Sequence, residues 1–244
     1  MAKVGTAVFL RAESFSRYSG IRYCTLLSKR NAMTTIEHAF LGANLVLATG
    51  LNKKHGWQTV ALAAVCANLP DWDGLTLFWS VSLFDTAHRV WGHNLLVCSF
   101  LALLCGGIDY RYDIVTRTAQ RLVRWAKFAV SDDLLAIRTQ FSRSGLAIWL
   151  LIALITAWSH LVGDMVFSGT ATLADWELKL FYPFSDRGFV YPLISWGNVG
   201  VTVIFILGMF AMLRWKDQTA WIARLTLVVA FGYVCSDIGT LFVS

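Results

Sequence analysis

Four stretches of this chain stay apolar for long enough to cross the hydrocarbon core of a bilayer, a thickness of ~30 Å that takes about 20 helical residues. They run from Trp91 to Ile108, Gly145 to Phe167, Tyr191 to Leu213 and Trp221 to Val243. Two further runs, Ala39 to Leu51 and Gly56 to Cys66, are too short to cross as helices. The polar cluster Asn52, Lys53, Lys54, His55 and Gly56 separates them and Pro70 closes the second, which predicts a short helical hairpin. Leu75 to Phe84 is apolar and carries a tryptophan, yet it is also too short, and reads as an interfacial or re-entrant helix. The pattern therefore predicts an all-α, polytopic membrane helical bundle of four full spans plus the hairpin, forming one domain over residues 33–244.

Composition agrees with a membrane protein. Of 244 residues 57% are hydrophobic and only 15% are charged, with a mean hydropathy of +0.57, too apolar for an ordinary soluble domain of this size. A formal charge of +6 would point to nucleic acid in a soluble chain. Here the basic residues cluster in loops between apolar runs, so the expected partner is the lipid bilayer and no nucleic acid. One set of alternate loops holds twelve of them, from Lys53 and Lys54 through Arg111, Arg117, Arg121, Arg124, Lys127, Arg138 and Arg143 to Arg214, Lys216 and Arg224; the other holds three, Arg89, Lys179 and Arg187. The positive-inside rule puts the first set in the cytoplasm of a bacterial inner membrane and the second outside. Glu37, Asp71, Asp73, Asp85, Asp164, Asp175, Glu177 and Asp186 all fall on the outer side.

Residues 1–32 do not fit this map, because Lys3, Arg11, Arg17, Arg22, Lys29 and Arg30 would lie outside. Thr6 to Leu10 is too short for the apolar core of a signal peptide. The segment reads as a disordered extension, or as an overcalled start upstream of an initiator at Met33. The five cysteines are scattered, with no CxxC pair, and read as small core hydrophobes.

The same map gathers candidate chemistry at the outer face. His38 begins the hairpin and Asp71 and Asp73 end it; His93 opens the next span with His88 just before it, and His160 with Asp164 closes the one after. Loop counting used no histidine, so its placing of four of the five histidines together is independent support for a shared site. His160 and Asp164 are four apart, hence on one face of a helix, and imidazole with carboxylate suits zinc, manganese or iron. An ionisable pair within an apolar span is costly and functional by default. Asp71 and Asp73 follow Pro70 on an irregular turn, where carboxylates bind one metal, bridge two, or cap the next segment. His88 and His93 are five apart, off a single helical face, so the chain is expected to turn near Gly92. Arg89 is a candidate for holding an anionic substrate, against pairing with Asp85 or a lipid headgroup. Thr34 and Glu37 form a capping box. His55 lies in the opposite loop and is excluded, while Asp237 in the last span is either an orienting partner or satisfied by backbone. No phosphate-cradling loop, GxSxG elbow or dinucleotide fingerprint is present.

Glu37-His38 with Gly42, Pro70-Asp-Trp-Asp73, His88-Arg89 with His93, His160 with Asp164, and Phe181-Tyr-Pro-Phe184, in this order over roughly residues 33 to 200, resemble the YdjM-like family. Its members are inner-membrane proteins labelled LexA-binding and metal-dependent hydrolases. That resemblance implies His38, Asp71, Asp73, His88, His93, His160 and Asp164 as the metal and catalytic set. More distantly, the scattered His and Asp ligands with an HxxxD pair resemble the zinc-dependent phospholipase C and single-strand nuclease group, which implies phosphoester chemistry.

The resulting expectation is a membrane-bound hydrolase using a divalent metal, zinc before manganese or iron. His38, Asp71, His88, His93, His160 and Asp164 are its metal ligands, Asp73 its base, and Arg89 the residue that positions a phosphoester, lipidic or not. The rivals are an ion- or proton-coupled transporter, and a non-catalytic protein that binds a regulator through its basic cytoplasmic loop.

Overall fold

The computed structural model describes residues 33–167, 177–191, 193–194 and 199–241. Residues 1–32, Asp175 and the side chain of Asp237 lie outside the described residues. The helices are α1 (Thr35–Thr49), α2 (Leu51–His55), α3 (Gln58–Cys66), α4 (Val81–Ala87), α5 (Leu95–Tyr112), α6 (Ile114–Ala126), α7 (Arg143–Val166), α8 (Gly200–Arg214) and α9 (Thr219–Leu241). Short 3-10 helices occupy Leu69–Phe78, Asp132–Leu135 and Lys216–Gln218. A lone bridge pairs Leu178 with Phe189; the other described residues are helix or loop.

Polar side chains set where the helices begin. The expected capping box opens α1: the Glu37 N–H donates to Thr34 Oγ1 at 3.3 Å and the Thr34 N–H to Glu37 Oε2 at 2.7 Å. Asn94 caps α5 by accepting the Val97 N–H, and Ser142 caps α7 by accepting the Gly145 N–H. Between the caps the sequence is apolar. Three segments, Leu95–Tyr112, Arg143–Val166 and Lys216–Ser236, are long and apolar enough to cross a membrane.

The expected span from Tyr191 to Leu213 is shorter than its composition indicated. Helix α8 begins only at Gly200, and its 15 residues reach roughly 22 Å. Ahead of it the Tyr191 N–H bonds to the Met165 carbonyl at 2.9 Å and the Leu193 N–H to Val166 at 3.1 Å, so this strip is tied to the end of α7. The hairpin forms as α1 and α3, with α2 in its turn. Leu75 to Phe84 is not one helix: Ser80, with φ −166° and ψ 153°, breaks it and caps α4.

Packing brings the helix ends that carry chemistry to one place. Helix α1 packs on α3, α7 and α9, and α7 also packs on α3 and α5. A Cβ on Gly42 would stand 2.6 Å from the Ala63 carbonyl oxygen and 2.8 Å from the Ala67 Cβ, so only glycine lets α1 and α3 meet this closely. That contact sets the end of α3, with its Ala67 carbonyl, beside the start of α1, with His38. Below it Val46, Leu62, Ala63, Cys66, Cys98, Ala102, Ile152, Ala153 and Ala157 form a buried apolar layer.

Candidate metal centre

Four elements supply the centre: the first turn of α1, the 3-10 helix after α3, the turn between α4 and α5, and the last turns of α7. Gly92 lets the turn press onto the 3-10 helix, since a Cβ there would lie 2.0 Å from the Pro70 carbonyl oxygen. Its N–H donates to Asp73 Oδ2 at 2.8 Å. Arg89, wholly buried, takes a left-handed φ of 65°, a conformation that costs a non-glycine residue about 1–3 kcal/mol and is stored where the surroundings hold it. This is the bend that the five-residue spacing of His88 and His93 required.

The donor atoms converge. His93 Nε2 lies 3.1 Å from His160 Nε2, and both stand 3.5 Å from Asp71 Oδ1. Asp164 Oδ2 lies 3.2 Å from His93 Nε2 and 3.6 Å from His160 Nε2. Zinc bonds of about 2.0–2.1 Å in a regular tetrahedron give edges of about 3.3 Å, and these separations bracket that value.

The outer ring nitrogens are already committed. His160 Nδ1 is 2.7 Å from the Ala67 carbonyl, which only accepts, so Nδ1 carries hydrogen. His93 Nδ1 is 3.0 Å from Asp73 Oδ2, a carboxylate that orients the imidazole in the manner of a carboxylate–histidine–metal triad. With Nδ1 donating on both rings, the neutral imidazoles present lone pairs at both Nε2 atoms, which face each other and two carboxylate oxygens. Acceptors facing acceptors at this range call for a cation between them.

Charge gives the same answer. Asp71, Asp73 and Asp164 with Arg89 leave two negative charges when the imidazoles are neutral, which one divalent ion offsets. Burial pushes the His93 imidazole down, but Asp164, Asp71 and Asp73 around it outweigh that and raise it well above its ordinary value. Burial likewise pushes the Asp73 carboxyl up, and hydrogen bonds from His88 and His93 hold it well below the usual carboxylate range. The donor set fits a divalent metal.

Each residue expected from the sequence is present in this cluster, though not in one shell. His38 Nε2 reaches Asp164 Oδ1 at 3.2 Å, and its ring stacks on His160 with centroids 3.6 Å apart. His88 Nδ1 meets Asp73 Oδ1 at 2.7 Å. Arg89 Nη2 lies 3.6 Å from Asp164 Oδ2. Three overlapping trios can hold an ion: His38 with His160 and Asp164, Asp71 with His93 and His160, and Asp73 with His88 and His93. Glu37 stays at its cap, where it also accepts from the Thr202 hydroxyl. His55 lies at the other end of α7, edge-on to Trp149. The Ala67 carbonyl escaped sequence reasoning, because a backbone acceptor leaves no mark on residue type.

An all-helical membrane protein with a His/Asp cluster able to hold a metal ion at one end of its bundle is thus the class defined by fold and site. The chain belongs to the YdjM inner membrane protein family, whose model matches residues 33–240. No curated protein and no solved structure matches it.

Proposed function

We propose that this protein is a metal-dependent hydrolase of the bacterial inner membrane, crossing it several times and acting on a phosphoester at the acidic, outer face. The observation that carries the reading is the meeting of four acceptor atoms, on His93, His160, Asp71 and Asp164, in a pocket two charges short of neutral. His93, His160 and Asp164 are almost fully buried, whereas the Asp71 side chain is 28% exposed. Three enclosed ligands with one open side is the pattern of a catalytic rather than a structural zinc site. A divalent ion, zinc by preference, would be held by His93, His160 and Asp164 and would supply Lewis acidity toward a phosphoryl oxygen and a bound water.

The chain's own groups divide the remaining work. Asp71, at the open side, takes the proton of the attacking water. Arg89, buried beside Asp164, favours the negative charge that develops on the phosphoryl oxygens. Asp73 was the expected base, but three donors already occupy it, which supports holding His93 in the correct tautomer. His38 and His88 each reach a carboxylate and not the four-atom centre, which supports an orienting role for both. Phe78 and Trp79, 86% and 76% exposed on the 3-10 helix segment that carries Asp71, give this face an apolar edge suited to a lipid phosphoester. The apolar layer around Ala63, Cys66, Ala153 and Ala157 below the centre weighs against an ion route through the bundle.

The test is metal analysis of protein purified in detergent, paired with assays on chromogenic phosphomonoesters and phosphodiesters. Stoichiometric zinc or manganese, with hydrolysis lost and metal kept in Asp71→Asn, is expected. Wild-type protein with no stoichiometric metal even after supplementation would sink the reading.

A further inference from the structure

The long basic segment between α5 and α7 takes no part in the metal centre, and its structure gives it a separate use. Helix α6 is amphipathic: at 100° per residue Val115, Thr118, Ala119 and Leu122 share one side, about 140° around the helix from Arg117, Arg121 and Arg124, with Ile114 and Trp125 on the border between the two sets. The protein covers the apolar side only in part: Val115 and Ala119 are half-buried. Leu122 is 58% exposed and Trp125 83%. The three arginines are exposed as well.

Connectivity fixes where this helix lies. Helix α5, long and apolar enough to span, ends at Tyr112, and α6 begins two residues later through Asp113, a non-glycine residue with φ 50°. The turn is held from both sides. The Val115 N–H donates to Asp109 Oδ1 at 2.8 Å, while the Arg138 N–H and guanidinium meet the Asp113 carboxylate. The Tyr110 hydroxyl donates to the Ser142 carbonyl at 2.9 Å, so α7 starts at the same level. With spans leaving and returning on either side, α6 is confined to the boundary between bilayer and water. Beneath it, between α3 and α5, runs an apolar cavity of about 620 Å³ lined by Trp57, Leu62, Leu101, Leu104, Thr118 and Leu122 among others.

We propose that α6 lies in the membrane plane and holds an anionic phospholipid of the leaflet on the basic side, its acyl chain in this cavity and its phosphate on Arg117, Arg121 and Arg124. Charge complementarity selects the occupant: three guanidiniums beside an apolar slot match a negative headgroup on a hydrocarbon tail. A water-bathed acidic polypeptide would pair with the arginines but would leave Leu122, Trp125 and the cavity in water.

The experiment places a benzophenone amino acid at Trp125, and separately at Leu122, in the full chain reconstituted into nanodiscs that mix phosphatidylglycerol with phosphatidylcholine. Mass spectrometry identifies the lipid captured on illumination. Phosphatidylglycerol is expected over its share of the disc by about fivefold or more, the factor that even one arginine near an anionic surface confers. Raised salt and the triple variant Arg117→Gln, Arg121→Gln, Arg124→Gln should each erase the preference while lipid capture itself continues. Capture in proportion to disc composition would overturn the lipid site. Absence of any lipid adduct at both positions would overturn the in-plane placement. A polypeptide adduct replacing lipid when the same variants are illuminated in cells would assign the face to a protein partner instead.

Discussion

The two ends of α7 both bury aspartates and aromatic nitrogen rings, yet they are built on opposite logic. At the basic end the buried aspartates meet donors. Asp109 receives the Val115 N–H at 2.8 Å and the Trp149 indole N–H at 2.9 Å. Arg138 donates to the Tyr110 carbonyl at 2.8 Å and lies 4.0 Å over the Trp149 ring. At the acidic end, imidazole nitrogens and carboxylate oxygens converge across 3.1 to 3.6 Å, and with neutral rings lone pairs meet lone pairs. The first cluster is complete as protein and does structural work, pinning α5, α6 and α7 together. The second is short of donors while its imidazoles are neutral, and its His/Asp groups can hold a metal ion. Burial and polarity alone do not separate the two kinds of cluster; counting donors against acceptors does.

The sharpest way to break this comparison is to delete one vertex at the acidic end. His160→Ala and Asp164→Ala should each lower metal affinity by well over the 10–100-fold that outer partners are worth, and abolish hydrolysis. Membrane insertion should survive, because each change removes a polar group from an apolar helix. Elemental analysis and carbonate extraction of membranes read the two outcomes. Retained metal in both variants would mean that the four-atom centre is not the binding site.

A smaller effect is expected one step out. Asp73→Asn keeps the shape beside His93 but removes the carboxylate that fixes its tautomer, which should weaken metal binding by about 10–100-fold without eliminating it. Competition with a chromophoric chelator measures this directly. Complete loss would make Asp73 a ligand in its own right, as the overlapping trio with His88 and His93 permits.

At the basic end the expected currency is stability. Asp109→Asn leaves an amide NH₂ facing either the Val115 N–H or the Trp149 indole N–H, so one bond is lost and a donor is set against a donor, at a cost of about 1–3 kcal/mol. The thermal midpoint should fall while metal content per folded molecule holds. A fall in metal content at unchanged midpoint would mean that the two ends are coupled through α7.

How much of this contrast a sequence reveals depends on the physics that makes it. His160 and Asp164 were legible because helical periodicity fixes a four-residue spacing, and the gathering of the candidate ligands at one end of the bundle was legible because basic residues fall in alternate loops. The distinct places of Asp71 and Asp73 were not, since they depend on a 3-10 helix and on the approach of Gly92 to Pro70, which are tertiary facts. The false start of α8 has the same origin: apolar composition does not register that Tyr191 is hydrogen-bonded to Met165. The basic segment read as a loop although Arg117, Arg121 and Arg124 recur at helical spacing, because its mean hydropathy hides its two faces.

The smallest effect sharpens the comparison through pH. His55, on α2, stands with its ring 6.2 Å from that of Trp149, and burial, then Lys54, then Arg138 hold its imidazole below the ordinary value of 6.5. The unfolded chain therefore takes up this proton near pH 6.5, whereas the folded protein waits for a lower pH. In the window between the two values the unfolded state binds more protons, so stability falls as pH drops and is level above the window. Wild-type protein alone does not isolate His55, because the acidic end also carries ionisable groups. The difference between wild type and His55→Gln does, because the acidic end is common to both. Comparing thermal midpoints at about pH 7.5 and about pH 5.5, the variant should lose slightly less on acidification than wild type. If the variant loses more, His55 is protonated in the folded protein and the basic end holds an acceptor for it.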